Sequence, residues 1–165
     1  MKGKYMKILI KSRNAIEKMA EKAFPDNTAV ISITDYGDRP VTFKNAPAYI
    51  HCSSFDDVDN DVIMDELWAL GTKAERRKTE ERYHMCSNYQ ALDIAEFYAD
   101  VCDKADILIC QCEHGQSRSA AVAAAILEYR SKNGIRVFAD DRYYPNKVVF
   151  RRVLEAIRIC CKVEA

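Results

Sequence analysis

Residues 106–126 read DILICQCEHGQSRSAAVAAAI. The first part, residues 107–110, is a near-continuous apolar run, which is typical of a central parallel strand covered on both faces. The last part carries small and apolar residues at helical spacing, which predicts a helix over residues 118–132 that lies close to its neighbours. These residues are Ala120, Ala123, Ala124 and Leu127. The segment therefore predicts a buried strand, a short loop and a buried helix in succession.

The loop between this strand and helix carries Cys112, Gly115 and Arg118. Main-chain N–H groups of such a loop and of a helix N-terminus form a site for an anion. The positive electrostatic potential of these N–H groups also stabilises a thiolate. An arginine in the first helical turn can hold two oxygens of a phosphate through its planar guanidinium. A thiolate and a phosphate in one loop indicate nucleophilic attack on phosphorus.

The rest of the chain predicts strands that alternate with helices. Short apolar runs predict strands at residues 7–10, 28–33 and 48–52. Helical patterns follow Ser12, cover residues 63–70 and 73–82, begin again at Ala91 and open once more at residues 144–146. This order predicts an α/β fold with a mostly parallel central sheet of four or five strands and helices on both faces. We expect a single domain over residues 1–165, with Cys112 at the sheet edge where such folds bind ligands.

Composition narrows the classes of function. The 25 basic and 25 acidic residues give a formal net charge of zero, so we expect neither nucleic acid nor a membrane as a partner. The apolar patch at residues 8–10 is too short for a signal peptide, which predicts a cytoplasmic protein. Seven irregularly spaced cysteines do not form a disulfide framework or a zinc motif, and six of them are interpreted as small buried residues. Cys112 is the exception because of its loop.

Residues 112–119, CEHGQSRS, match the C-x5-R-[ST] loop of the cysteine-dependent protein tyrosine phosphatases. The ending GQSRS resembles the dual-specificity branch and its small bacterial relatives. AVISITD, AYIHCSSFDDVD and YYPNKVVFRRVL are also similar to segments of that family, so the resemblance spans roughly residues 28–160. Two positions differ from the usual pattern. Gln111 replaces the histidine that ordinarily precedes the nucleophile, and His114 lies where relatives often have a small residue.

The resemblance implies a role for each matching residue. Cys112 is the expected nucleophile of a phosphatase that forms a cysteinyl phosphate, and the Ser119 hydroxyl is expected to assist the departure of the sulfur. Asp57 is the expected general acid, with Asp56 as the alternative. The phosphate-binding loop consists of Glu113, His114, Gly115, Gln116, Ser117 and Arg118. We expect no metal and no cofactor, and a phosphorylated protein or a small phosphomonoester as substrate. The oligomeric state is left open.

Three other functions remain as alternatives. A phosphoinositide or inositol-phosphate phosphatase is less favoured, because such enzymes commonly carry lysines in the loop whereas this loop has Glu113. A second alternative is a catalytically weak module that binds phosphate, with Gln111 as its motivation. Redox chemistry between Cys112 and either Cys110 or Cys52 is the third, and a structural role is preferred for both of these partners.

Overall fold

The computed structural model describes residues 5–58, 69 and 72–161. The strands in this part of the chain are β1 (Lys7–Ser12), β2 (Thr28–Thr34), β3 (Tyr49–Ser54) and β4 (Ile107–Cys112). Its helices are α1 (Arg13–Ala20), α2 (Lys73–Arg82), α3 (Asn88–Val101), α4 (Arg118–Ser131), α5 (Ile135–Phe138) and α6 (Lys147–Cys160). The helix predicted for residues 63–70 lies, except for residue 69, outside the described residues.

The four strands form one parallel sheet in the order β1-β4-β2-β3. β4 lies between β1 and β2, with Cys112 opposite Ser12 and Gln111 opposite Ser32. Because all strands are parallel, their carboxyl ends share one edge of the sheet, and Cys112 is the last residue of β4 at that edge. The predicted α/β class, the parallel sheet and the strand–loop–helix arrangement are confirmed.

Helices cover both faces of the sheet. On one face, the buried side of α3, α4 and α6 packs against side chains of β2 and β4, including Ile31, Leu108 and Cys110. On the other face, Ile16 of α1 packs against Val30 and Ile109. Successive strand residues point to opposite faces, which is why the apolar runs of β2 and β4 are continuous rather than alternating.

Helix α4 lies deep in the molecule because its residues are small. Its first nine residues, 118–126, are all buried, and five of them are alanines. Close backbone approach requires such residues, and the alanine pattern predicted it. The helix ends differently from the sequence expectation. Lys132 adopts the left-handed conformation at the C-cap, with φ of 55°, whereas residues 133–134 were predicted to cap it. A Cβ at Gly134 would lie 2.6 Å from the Ala124 carbonyl oxygen, so this glycine permits close packing instead.

Several other boundaries differ from the predicted ones. β1, β3 and β4 each end two residues later than predicted, because strand pairing continues to Ser12, Ser54 and Cys112. The apolar residues after Ser12 continue at helical spacing to Ala23, but α1 ends at Ala20. Ser12 caps α1 as expected, its hydroxyl accepting a hydrogen bond from Ala15 N at 3.2 Å.

Candidate active site

The thiol of Cys112 lies beside the hydroxyl of Ser119. The Sγ–Oγ distance is 3.1 Å, and both residues are buried. Cys112 ends β4 while Ser119 is the second residue of α4, so the loop folds back and places the first helical turn over the end of the strand. A hydroxyl at this distance can donate a hydrogen bond to a thiolate.

The loop is pressed against the end of β1. Gly115 has φ of 67°, a left-handed conformation that glycine adopts without cost. A Cβ at this position would lie 2.6 Å from Ser12 N and 2.7 Å from the carbonyl carbon of Lys11. Arg13 N also donates a hydrogen bond to the carbonyl oxygen of Glu113 at 3.1 Å. Both the conformation and the close approach require glycine at position 115.

The main-chain N–H groups of residues 113–118 donate no hydrogen bond to any part of the chain that the structure describes. Buried N–H groups ordinarily find a partner, and four of these six residues, Glu113, Gly115, Ser117 and Arg118, are buried or half-buried. Their free donors favour a ligand that accepts hydrogen bonds. These donors precede and begin α4, a helix of 14 residues whose N-terminal end favours negative charge. An anion with several oxygens, such as phosphate, matches these donors.

Arg118 is almost completely buried, with 3% of its surface exposed. Its Nη1 donates to the carbonyl oxygen of Phe55 at 2.7 Å and forms an ion pair with Asp35 Oδ1 at 2.5 Å. Its Nε is buried and has no hydrogen-bond partner, and no described residue accepts a bond from Nη2. The edge of the guanidinium formed by Nε and Nη2 is therefore left for a ligand, and this edge binds two oxygens at once.

Asp57 reaches the loop from the segment that follows β3. Its Oδ1 accepts hydrogen bonds from Ser117 Oγ at 2.7 Å and from Asn146 Nδ2 at 2.9 Å. Its Oδ2 accepts none within the described residues. The carboxyl group is thus held at the loop by one oxygen, and the other oxygen can carry a proton.

Asp56, the alternative general acid, is directed elsewhere. Its Oδ1 accepts a hydrogen bond from Tyr36 N at 2.8 Å, and its own N–H donates to His84 O at 2.9 Å. The ring of His84 stacks on that of Tyr36 with centroids 3.6 Å apart. Asp56 therefore links two surface segments, and the structure places Asp57 rather than Asp56 in contact with the loop.

Sequence reasoning assigned no role to Asp35 or Asn146, and both contact the site. Asp35 directly follows β2, the neighbour of β4, so its position at the same sheet edge was the available signal. Asn146 caps α6 through Val149 N and uses its amide nitrogen for Asp57. In addition, Asn146 N donates to Ser117 O, so the segment before α6 supports both the loop and the carboxylate.

Gln111, at the position before the nucleophile, is buried in the sheet. Its Oε1 accepts a hydrogen bond from Ser32 Oγ at 2.5 Å, while its Nε2 is buried without a partner. It lies on the opposite face of β4 from Cys112, because neighbouring strand residues alternate. The Gln111 side chain therefore links β4 to β2 on the face of the sheet opposite to the Cys112 side chain.

A groove of about 920 Å³ lies to the side of this loop. Tyr36, His84 and residues of α2 and of the start of α3 line it, and Cys112 does not. None of the loop residues 112–119 is among the residues that line this groove.

Comparison of the chain with protein-family models, curated proteins and solved structures finds no match. Within the described residues, no cluster of three or more histidine, cysteine, aspartate or glutamate side chains is arranged to hold a metal ion. None of the described helices is both long enough and apolar enough to cross a membrane.

Proposed function

We propose that the protein hydrolyses phosphate monoesters through a cysteinyl-phosphate intermediate, as the protein tyrosine and dual-specificity phosphatases do. The observation that carries the proposal is the combination in one loop of the Cys112 thiol, six N–H groups without a partner among the described residues, and the Nε–Nη2 edge of Arg118. The proposed substrates are phosphorylated proteins or small phosphomonoesters in the cytoplasm. No step of this reaction requires a metal.

In the first proposed step, the Cys112 thiolate attacks phosphorus, an S–P bond forms and the ester P–O bond breaks. Asp57 gives its proton, held on Oδ2, to the departing oxygen. The loop N–H groups and the Nε–Nη2 edge of Arg118 bind the phosphoryl oxygens, where charge is spread in the transition state. The guanidinium of Arg118 is oriented before the substrate arrives, because Asp35 and Phe55 already hold Nη1.

In the second proposed step, water attacks the cysteinyl phosphate and Asp57 takes a proton from it. The S–P bond breaks, inorganic phosphate is released and the thiolate is restored. Ser119 Oγ, at 3.1 Å from the sulfur, donates a hydrogen bond to the thiolate as it departs. Both steps balance without an oxidant, a reductant or a further co-reactant.

The test is the variant Cys112→Ser, assayed with 4-nitrophenyl phosphate and titrated with vanadate. We expect hydrolysis to fall by at least about 10³-fold, because an alcohol is a far weaker nucleophile than a thiolate at neutral pH. Vanadate binding should persist, since the N–H groups and Arg118 are unchanged. Cys52→Ser, at an exposed cysteine of β3, serves as the control and should retain activity.

Two results would contradict the proposal. Activity near that of the wild type in Cys112→Ser would assign the attack to another group. Vanadate binding by a wild-type protein that turns over no phosphomonoester would indicate the phosphate-binding module instead.

A further inference from the structure

Glu113 brings a carboxylate to the loop that would hold the phosphate. It directly follows Cys112, and its side chain is 36% exposed. Its main-chain oxygen is held by Arg13 N, which fixes the position of the residue against the start of α1. Glu113 therefore places a carboxylate on the rim of the proposed phosphate site, one residue from Cys112.

The charge of Glu113 is only partly neutralised. Arg13 Nη1 lies 3.8 Å from Glu113 Oε2, whereas Arg13 Nε lies 3.1 Å from Glu17 Oε1 and forms a hydrogen bond with it. Both terminal nitrogens of Arg13 also donate to Arg39 O at 3.0 Å. The guanidinium of Arg13 thus pairs with two carboxylates, and its contact with Glu17 is the shorter one.

The other charged side chains in direct contact with the loop do not compensate the negative charge of Glu113. Asp35 forms an ion pair with Arg118, and Asp57 accepts hydrogen bonds from neutral groups only. In the proposed first step Asp57 carries a proton and is neutral. Counting the ion-paired side chains, Arg13 and Arg118 against Glu17, Glu113 and Asp35, gives a net charge of −1. The charged residues of the adjoining segments 38–39 and 140–147 cancel one another. They are Asp38, Asp140 and Asp141 against Arg39, Arg142 and Lys147.

We propose that Glu113 selects substrates by charge, favouring a phosphate carried by a group with positive charge nearby and disfavouring a carrier with additional negative charge. The inference rests on the proposed function and narrows its substrate class. Once the phosphate is neutralised by the N–H groups and Arg118, the carrier experiences the remaining rim charge. That charge attracts arginine or lysine side chains beside the phosphorylated residue and repels carboxylates or a second phosphate.

The experiment compares kcat/KM for a phosphotyrosine peptide flanked by arginines with that for the same peptide flanked by glutamates. It is run at low ionic strength and pH 8, where histidine side chains are ordinarily neutral. We expect the wild type to prefer the arginine peptide by about three- to tenfold, the effect of one nearby unit charge at a hydrated surface. Each peptide is also tested as a competitor of 4-nitrophenyl phosphate, so that a peptide that is bound but slowly hydrolysed is still detected.

Glu113→Gln should abolish most of this preference, and 1 M salt should do the same in the wild type. The matched control is Glu21→Gln, at an exposed residue just after α1 that takes part in none of these ion pairs. It should keep the preference and the rate with 4-nitrophenyl phosphate.

Equal kcat/KM values of the wild type for the two peptides would overturn the inference. A preference of the same size in Glu113→Gln would do so as well. Failure of the proposed function is a different result, because then the wild type does not hydrolyse 4-nitrophenyl phosphate.

Discussion

Asp35 contacts Arg118 from the end of β2, and Asp57 contacts Ser117 from the segment after β3. The two carboxylates differ in which polar atoms remain without a partner. Asp35 binds Nη1 and so directs the unpaired edge of the guanidinium away from itself, which is the arrangement that a two-oxygen ligand requires. Asp57 keeps one oxygen without a partner within the described residues, which is the arrangement that a proton donor requires.

The exchange Asp57→Ala tests the second of these tasks. We expect hydrolysis of an alkyl or phenyl phosphate to slow by about 10²–10⁴-fold, the usual contribution of general acid catalysis. A phosphate ester of 4-nitrophenol should lose much less, because its leaving group departs as a stable anion. The measurement is the dependence of kcat/KM on the leaving group in the two proteins.

Asp56→Ala is the natural control for this exchange. Its carboxylate accepts a bond from Tyr36 N instead of contacting the loop, so its removal should leave the leaving-group dependence as in the wild type. A leaving-group-dependent loss in Asp56→Ala alone would assign the acid to Asp56. No such loss in either variant would place the acid outside this segment.

Among the elements, the contact of β1 with the loop decides the shape of the proposed phosphate site. β1 ends at Ser12, where the chain turns into α1, and the loop passes Ser12 N so closely that no side chain fits at position 115. The N–H groups of the loop can face a ligand only if the loop keeps this path. Backbone packing between two elements distant in sequence thus determines the geometry of the donors.

Gly115→Ala should therefore abolish most of the activity and destabilise the protein. The left-handed conformation alone costs an alanine about 1–2 kcal/mol. The added Cβ would also meet main-chain atoms of β1, which cannot move as a side chain does. Gly37→Ala provides a matched control, since Gly37 has φ of 81° but its Cβ would meet nothing within 4 Å.

Chemical denaturation and phosphatase assays on both variants separate the two causes. Gly37→Ala should show the conformational cost with activity retained. Equal losses of stability and activity in the two variants would show that the contact with β1 is unimportant.

Across the whole molecule, the six cysteines outside the proposed site share one electrostatic property. Burial raises the pKa of each of those thiols, to about 12 for Cys86 and further for Cys110, which lies in the sheet interior. A raised thiol pKa means less thiolate at neutral pH, and the thiolate is the form that is alkylated. Burial thus lowers the thiolate fraction of the six thiols outside the proposed site.

Brief treatment with iodoacetate at pH 7 should accordingly inactivate the protein by modifying Cys112 alone, and inorganic phosphate should protect it. Activity should survive excess EDTA, because the proposed reaction uses no metal. Peptide mapping by mass spectrometry identifies the modified thiol. Loss of activity to EDTA, or inactivation that tracks another cysteine, would contradict this expectation.

The sequence by itself determined the features that depend on neighbouring residues. The apolar run of β4, the glycine and arginine of the loop and the alanines of α4 predict the strand, the turn and the buried helix, because the periodicity of side chains and the conformations open to glycine act locally. The proposed roles of Cys112, Arg118 and Ser119 come from the same segment. That of Asp57 comes from AYIHCSSFDDVD, residues 48–59.

Only the tertiary structure decided which distant groups meet the loop. The order β1-β4-β2-β3 places the end of β2 beside β4, and this brings Asp35 to Arg118, although the sequence offers no pattern that specifies strand order. The choice between Asp56 and Asp57, and the contribution of Asn146, depend on where the segments after β3 and before α6 pack. The physical reason is that burial of apolar strands is encoded residue by residue, whereas the polar contacts at the sheet edge arise from the assembly of elements far apart in the chain.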